Sequence, residues 1–316
     1  MKVLITGGLG YIGSHLIRFL SDALGYQVRI LDLNIPPEFE DWKKKYEIIQ
    51  SDITKKDEIS RCCLGCDAVI HLAALDKTES HQDPELALKV SGIGTRNILE
   101  EAAGCNVQQF IYFSTIHVYG IPRKRRIDEN IPVNPLNDYS IAHYTGELYC
   151  QQFRELFNLK AIRIRLSNGY GAPVKKNINC WSIVVHDFCQ SAFQQKKILL
   201  KSEGTQKRDF ISIPDILQAV QLLLEAEKSK IKYDLYNVGS GVSFSIKEIA
   251  HLVKDVYEES YGKKVKIEFA PDLISADFKI PFVLDISRIK EIGFFPKGPE
   301  TMDKEIKKIF TLLENN

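Results

Sequence analysis

The sequence has almost no excess of either charge, because 42 Lys and Arg residues are balanced by 41 Asp and Glu residues, for a formal net charge of +1. Proteins that bind nucleic acid or anionic membranes by charge need a basic surface, so this balance predicts neither partner. The sequence also lacks an apolar run of about 18 residues, the length that a membrane-spanning helix requires. Residues 1–8 are too short for a signal peptide, so we expect a cytoplasmic protein.

The seven cysteines lack a metal-binding pattern. The closest group, "CCLGCD" (62–67), has no second ligand pair at zinc spacing. His143 and Glu147 lie four residues apart in a predicted helix, but no further ligands accompany them. We therefore predict no metal site. Because the cytosol is reducing, we interpret the cysteines as ordinary buried thiols.

The first half of the chain alternates between segments typical of strands and segments typical of helices. Such alternation favours a parallel sheet with helices on both faces, which is a doubly wound α/β fold. After Asn168 the alternation breaks, which favours a second, smaller lobe of mixed α/β structure. Strands are predicted at "KVLITG", "YQVRILD", "DAVIHLAA", "QQFIYFST" and "LKAIRIRLS", and helices over 11–24, 55–64, 84–104 and 139–157.

The segment "TGGLGYIG" places Gly7, Gly10 and Gly13 between the first strand and the first helix. Glycine suits a backbone that turns with positive φ or approaches a ligand closely, and a helix N-terminus attracts a pyrophosphate. Asp32 ends the next strand about 20 residues further on, where a carboxylate binds ribose hydroxyls and repels a 2′-phosphate. This context predicts NAD rather than NADP; the alternative is a structural glycine turn.

Asp52 in "QSDIT" has two compatible interpretations. Its position at a strand end would allow it to receive the adenine amino group. It is also suited to cap a helix, since "DITKKDE" has the composition of a helix start.

Several ordered motifs are similar to those of one family: "TGGLGYIGSH", "VIHLAAL", "FIYFSTIHVYG", the helix of Tyr139, "RLSNGYGAP" and "GTQKRDFISIPDI". The chain resembles the extended short-chain dehydrogenase/reductases over nearly its whole length, in particular the nucleotide-sugar epimerases, dehydratases and reductases. The resemblance implies a Rossmann domain that binds NAD, formed by residues 1–172 with 209–239. It implies that residues 173–208 with 240–316 form the lobe that binds a nucleoside-diphosphate sugar.

The resemblance also implies roles for single residues. Tyr139 would exchange a proton with a sugar hydroxyl, Thr115 would bond the same oxygen, Asn168 would bind the sugar diphosphate and Arg208 would pair with it. Helices over 84–103 and 139–157 would pack in a homodimer. The implied cofactor contacts are Gly7, Gly10, Tyr11, Ile12, Gly13, Asp32, Asn34, Asp52, Ile53, Leu72, Ala73, Ala74, Ser91, Tyr139 and His143.

His143 is the largest departure from the family, which normally has Lys four residues after the Tyr. A Tyr with a pKa near 10 is a poor base at neutral pH unless a cation stabilises the phenolate. An imidazole is mostly neutral above pH 7, although it can still donate a hydrogen bond to ribose. His143 therefore either supports catalysis in this way, marks a weakened cofactor-binding protein, or is a misaligned residue of the helix face.

Two positions bear on the reaction. Family dehydratases carry an acidic pair directly after the Thr, whereas this chain has Ile116 and His117, which disfavours dehydration. We predict a 4-epimerase, or a one-way reductase or dehydrogenase, with His117 an ordinary residue at a strand end. The alternative is a non-enzymatic NAD(H)-binding scaffold or sensor, which would not need Thr115, Tyr139 and Asn168 together.

Two further segments depart from the family or lack an assigned role. Residues 270–285 lack the Arg that clamps the diphosphate in many family members, and Lys279 is a candidate replacement without the bidentate geometry of Arg. The basic run at 122–129, "PRKRRIDE", is interpreted either as a contact to an acidic substrate group or as a solvated charged loop.

Overall fold

The computed structural model describes residues 1–121, 123–227, 229–270 and 282–314. The chain packs into two compact units. The first unit comprises Met1–Gly120, Pro132–Leu166 and Val220–Tyr236, and the second comprises Ile121–Ile131, Ser167–Ala219 and Asn237–Asn316. In the described ranges, no helix is long and apolar enough to cross a membrane.

The first unit is built on a seven-stranded sheet, whose strands are β1 (Lys2–Thr6), β2 (Gln27–Asp32), β3 (Glu47–Gln50), β4 (Ala68–His71), β5 (Gln109–Thr115), β7 (Ala161–Leu166) and β11 (Leu235–Val238). Their order across the sheet is β11-β7-β5-β4-β1-β2-β3. The strand order reverses between β1 and β4, and doubly wound sheets bind ligands beyond the strand ends at such a point. The doubly wound α/β fold predicted from sequence is therefore confirmed.

Helices of the first unit pack their apolar sides against this sheet. The longest, α5, begins after Asn137, whose side chain accepts the Ser140 N–H at 2.9 Å in a capping box. It ends at Asn158, whose left-handed backbone closes the last turn. The helices are α1 (Tyr11–Arg18), extended by a π turn (Phe19–Ala23), α2 (Lys77–Gln82), α3 (Pro84–Leu88), α4 (Thr95–Gly104) and α5 (Asp138–Phe157), with a π segment (Lys89–Gly94) joining α3 to α4.

The strands of the second unit are β6 (Arg126–Ile127), β8 (Asn168–Tyr170), β9 (Lys197–Leu200), β10 (Lys207–Ser212), β12 (Ser243–Ser245), β13 (Lys266–Phe269) and β14 (Val283–Leu284). They form three small sheets: β12-β10-β8, β13-β9 and β14-β6. The helices are α6 (Val184–Gln195), α8 (Ile246–Tyr261), α9 (Ser287–Lys290), α10 (Met302–Glu314) and α7 (Ile213–Glu225), which belongs to the first unit from Val220 on. The apolar core of the second unit lies among α6, α8 and α10 and includes Phe188, Tyr257 and Phe310.

The units divide the chain at different residues from the predicted domain boundaries. Residues 121–131, 167–172, 209–219 and 237–239 were assigned to the dinucleotide domain, but they pack in the second unit. Strand pairing is the physical reason, because β6 pairs with β14 and β8 pairs with β10.

The predicted helix over 55–64 is wrong, because the segment forms only a 3₁₀ turn, Lys56–Ile59. Arg61 then adopts a left-handed backbone, with φ of 64°. The Arg29 guanidinium donates to the carbonyls of Cys62 and Leu64 at 2.7 and 2.8 Å, so a buried cation from β2 stabilises this non-helical path.

Candidate active site

The glycine loop after β1 is a backbone cradle without room for side chains. Gly7 has a φ of +64°, and a Cβ there would lie 2.8 Å from the backbone nitrogen of Ala73. A Cβ on Gly13 would lie 2.5 Å from the Gly7 carbonyl oxygen. The loop thus packs directly on the chain that follows β4 and leads into the N-terminus of α1. These features fit a pyrophosphate, which needs close backbone approach and free N–H groups.

Asp32 is held against this loop at the end of β2. Its carboxylate accepts the Leu9 N–H at 2.9 Å. Burial raises the pKa of Asp32, while backbone N–H groups of Leu9, Asn34 and Leu33 lower it in part. The structure therefore joins the carboxylate expected to bind ribose with the loop expected to bind phosphate.

The other predicted cofactor contacts follow neighbouring strands or face them. Asp52 accepts the Thr54 N–H at 2.9 Å and its hydroxyl at 2.8 Å, so it closes a turn rather than capping a helix. Ile53 is buried, and its carbonyl accepts from Asn97 at 2.9 Å. Tyr11 and Ser91 are buried, Ile12, Leu72 and Ala73 are half-buried, and Asn34 and Ala74 are exposed.

Tyr139 and Thr115 meet where the second residue of α5 faces the end of β5. The Thr115 oxygen accepts the backbone N–H of His117 at 3.2 Å, and the Thr115 side chain hydrogen-bonds Tyr139. Burial raises the pKa of Tyr139, the Thr115 hydrogen bond lowers it in part, and Asp76 raises it further. The phenol is therefore protonated at neutral pH in the protein alone. The two hydroxyls lie close enough to bond one substrate oxygen.

His143 lies one turn further along α5, with its ring edge-on to Tyr139 at a centroid distance of 4.4 Å. Its exposed fraction is 6%, and burial lowers its pKa to about 4, an effect that Glu147 and the Phe113 backbone offset only in part. The ring is thus neutral at working pH. Nδ1 lies 3.4 Å from the Tyr112 hydroxyl, whereas Nε2 has no hydrogen-bond partner among the residues that the structure describes. This orphaned buried nitrogen fits a ligand hydroxyl such as that of a cofactor ribose.

Glu147 occupies the next turn of α5 and is fully buried. Its carboxylate accepts two bonds from the Arg165 guanidinium, at 2.9 and 2.7 Å, and one from the Ser114 hydroxyl at 2.5 Å. These bonds occupy both carboxylate oxygens, so Glu147 is not available as a metal ligand beside His143. No group of three potential metal ligands occurs within the described ranges.

The two remaining predicted substrate residues belong to the second unit. Asn168 in β8 donates to the Asp209 carbonyl at 2.7 Å, and its backbone pairs with Phe210 of β10. Arg208, also in β10, is half-buried and donates to the Lys207 carbonyl at 3.0 Å. The structure therefore places these two predicted substrate contacts on neighbouring strands.

The basic run that has no assigned role also belongs to the second unit. Residues 123–126 are exposed, and Arg126 forms an ion pair with Asp285 at 2.6 Å. Lys279, the candidate replacement for the diphosphate-clamping Arg, lies outside the described residues.

Sequence reasoning missed two polar residues that contact α5 from neighbouring strands, namely Tyr112 and Arg165. The available signal was polar residues inside runs otherwise typical of buried strands: Tyr112 in "QFIYFST" and Arg165 in "AIRIRL". Both strands are buried along their whole length. A polar group there needs a partner, although the sequence alone does not name it.

The geometry can now be compared with known proteins. Residues 3–239 match the model of the NAD dependent epimerase/dehydratase family. The chain belongs to this family. The predicted family and its NAD cofactor are thereby confirmed.

Relatives across the epimerase/dehydratase family match the chain from end to end. A putative UDP-glucose 4-epimerase of Methanocaldococcus jannaschii is 27% identical over 317 residues, covering 99% of each chain. A dTDP-glucose 4,6-dehydratase of Streptomyces niveus is 26% identical, covering 94% of this chain and 88% of its own length. A UDP-glucose 4-epimerase structure from Thermotoga maritima, with UDP-glucose, superposes with a TM-score of 0.85 at 25% identity, covering 99% of each chain.

Proposed function

We propose that this chain is an NAD-dependent 4-epimerase or 4-keto reductase of nucleoside-diphosphate sugars. The main support for this proposal is the hydrogen bond between Thr115 and Tyr139, two residues that belong to the same unit as the glycine loop and Asp32. Relatives named as UDP-glucose 4-epimerases, at 25–27% identity over the full length, support this assignment.

The proposed roles follow from the groups at the site. When bound, NAD supplies hydride acceptance and return. Tyr139 takes the proton of the substrate hydroxyl and gives it back, and Thr115 holds that oxygen by a hydrogen bond. His143 contacts the cofactor, and Asn168 and Arg208 contact the sugar diphosphate. Because burial raises the pKa of Tyr139 and His143 is neutral, we expect an alkaline activity optimum.

The proposal excludes sugar 4,6-dehydration, although dehydratases are among the relatives. Elimination needs an acid and a base beside the substrate carbon that loses its proton. The two residues after Thr115 are Ile116, which is buried and apolar, and His117, whose backbone N–H donates to the Thr115 side chain. The pair of positions that carries acidic residues in family dehydratases therefore carries no carboxylate here.

We further propose a homodimer and a cytoplasmic location. Four apolar side chains, each 41–49% exposed, lie along α3 and α5: Leu86, Leu88, Ile141 and Leu148. They suit a partner surface formed by the same helices of a second copy, as sequence predicts. Light scattering would measure the mass. The seven cysteines would stay reduced in the cytoplasm.

The test is a panel of nucleoside-diphosphate sugars incubated with the protein and NAD⁺, and of their 4-keto forms incubated with NADH, followed by mass spectrometry, sugar analysis and cofactor absorbance. We expect one substrate to be epimerised or reduced, and Tyr139→Phe to lose at least about a hundredfold in kcat, the usual contribution of a general acid–base group. Tyr149→Phe, a half-buried tyrosine on the same helix, is the matched control. Bound NAD without turnover of any sugar, and without an effect of Tyr139→Phe, would identify a scaffold instead.

A further inference from the structure

Behind His143 lies a series of buried polar side chains that the proposed chemistry does not use. The His71 ring, at 0% exposure, has Nδ1 2.6 Å from the Thr6 hydroxyl and Nε2 3.0 Å from the Thr95 hydroxyl. Thr95 also hydrogen-bonds the Tyr112 hydroxyl. Tyr112 in turn contacts His143, so one continuous path of polar atoms runs from β1 to α5. We call Thr6, His71, Thr95 and Tyr112 the buried polar chain.

The hydrogen positions in the buried polar chain follow from the number of hydrogens that each of its polar groups can donate. Burial lowers the pKa of His71 to about 3, so its ring is neutral and carries one N–H. The Tyr112 hydroxyl gives its only hydrogen to the His143 backbone carbonyl, so Thr95 must donate its own hydrogen in its bond to the phenol oxygen. Thr95 must then accept from His71 Nε2–H, and His71 Nδ1 accepts from Thr6. In the buried polar chain, each hydrogen bond is therefore donated in the direction of Tyr112.

The same count continues at His143. The Tyr112 hydroxyl donates its only hydrogen to the His143 backbone carbonyl at 3.0 Å. The Tyr112 oxygen, 3.4 Å from His143 Nδ1, can then attract that nitrogen only if Nδ1 carries a hydrogen, and the Phe113 backbone carbonyl also accepts from this ring. A neutral imidazole has one N–H, so Nε2 is left with a lone pair. Nε2 is also the atom that has no partner within the described part of the chain.

The packing of α5 on β5 is adapted to this contact. A Cβ on Gly146 would lie 2.3 Å from the Tyr112 hydroxyl oxygen, which no side chain permits. The glycine lets the helix approach the strand closely enough for Tyr112 to reach His143. The titratable groups that face His143 are Tyr112 from β5, His71 from β4, and Tyr139 and Glu147 from α5 itself.

We propose that the buried polar chain holds His143 as the Nδ1–H tautomer, so that Nε2 accepts a hydrogen bond from a ribose hydroxyl of the cofactor, with Tyr112 as the positioning residue. This inference rests on the proposed function only for the identity of the ligand. It changes the way in which His replaces Lys. A lysine at 143 would be a cationic donor, whereas this histidine is a neutral acceptor, so the cofactor hydroxyl must donate.

Nitrogen-15 NMR of the full chain, labelled at histidine, tests the tautomer directly, because protonated and unprotonated ring nitrogens resonate far apart. His143→Gln assigns the signals. We expect wild-type His143 above pH 6 to show a protonated Nδ1 and an unprotonated Nε2, without and with NAD. A spectrum with the hydrogen on Nε2 overturns the proposal, and this measurement needs no sugar to be identified.

Variants then test the part played by Tyr112. Tyr112→Phe removes the oxygen that fixes Nδ1–H, so we expect a mixture of tautomers and NAD binding weaker by about threefold to tenfold, as for one neutral hydrogen bond. Thr95→Val, which removes the donor to Tyr112, should show a smaller change in the same direction, and Tyr149→Phe should show none. An unchanged tautomer in both Tyr112→Phe and Thr95→Val contradicts the proposal. Absent sugar turnover with the expected tautomer would instead count against the proposed function alone.

Discussion

Two successive turns of α5 bury a polar group each, and the two groups are satisfied in opposite ways. Glu147 is bonded at both carboxylate oxygens, by Arg165 and Ser114. His143 is neutral, lies at a long distance from the Tyr112 hydroxyl at Nδ1, and has no partner for Nε2 among the described residues. A carboxylate bonded at both oxygens can only hold the structure together, whereas a neutral ring with a spare nitrogen can bind a ligand. The comparison separates the structural turn of the helix from the functional one.

The largest effect is expected at the structural turn. Glu147→Gln would leave the Arg165 cation buried without its counter-charge, and breaking a buried pair in this way costs about 3–5 kcal/mol of the free energy of unfolding. Urea unfolding at pH 7 measures it. Glu155→Gln, exposed on the same helix, should change stability by less than about 0.5 kcal/mol.

The paired substitution Glu147→Leu with Arg165→Met sharpens this test. Replacing both charges by apolar groups removes the unpaired cation, so the double variant should be more stable than Glu147→Gln. A Glu147→Gln chain as stable as the wild type would show that the ion pair is not needed.

The second effect is acid sensitivity at the functional turn. The pKa of His143 is lowered by burial to about 4 in the folded chain, against about 6.5 when unfolded. The unfolded chain therefore binds more protons below pH 6.5, so stability is complete above that pH and is lost as the pH falls toward 4. Because of this histidine, the free energy of unfolding should be about 2 kcal/mol lower at pH 5 than at pH 7.

His143→Gln checks that figure, because it removes the titrating group. Its loss of stability between pH 7 and pH 5 should be about 2 kcal/mol smaller than that of the wild type. His71 and His186, with pKa values lowered by burial to about 3 and 4, act in the same direction in both chains. Asp209, raised by burial to about 6, acts in the opposite direction, so only the difference between the chains is decisive. Equal losses would contradict the neutral state of His143.

The smallest effect is expected on the pH profile of activity. His143→Lys adds a permanent cation beside Tyr139 and should lower the pKa of that phenol by about one unit, or about 1.4 kcal/mol. The profile of kcat/KM should move toward neutrality. His251→Lys, on the exposed side of α8, serves as the control. If the profile of His143→Lys stays where the wild type has it, charge at this position does not tune the tyrosine.

The backbone conformations required at single positions could be predicted from the sequence. Gly7 needs a positive φ and Gly13 a close approach, and both requirements are met only by glycine, so the loop and its Asp32 were predicted from spacing. The fold was predicted as well, because β1, β2, β4 and β5 are short apolar runs between helices. The roles of Tyr139, Thr115 and His143 came from the resemblance and remain predictions.

Hydrogen bonds between residues that lie far apart in the sequence could not be predicted. Residues 55–64 have helical composition, but Arg29 binds the carbonyls that follow the 3₁₀ turn. Tyr112 and His143 are separated by 31 residues, and in "QFIYFST" the tyrosine is indistinguishable from any other aromatic residue of a strand. Hydrogen bonds between distant residues depend on how strand and helix pack, and the apolar pattern does not encode that.

The close approach at Gly146 has a consequence for variation and for design. Since a methyl group at 146 would overlap the hydroxyl of residue 112, the two positions are not free to change one at a time. A chain that gains alanine at 146 must first exchange Tyr112 for a shorter residue, and His143 would then lose its contact. Grafting a helix with alanine or a larger residue at this position into the protein therefore means changing β5 together with α5.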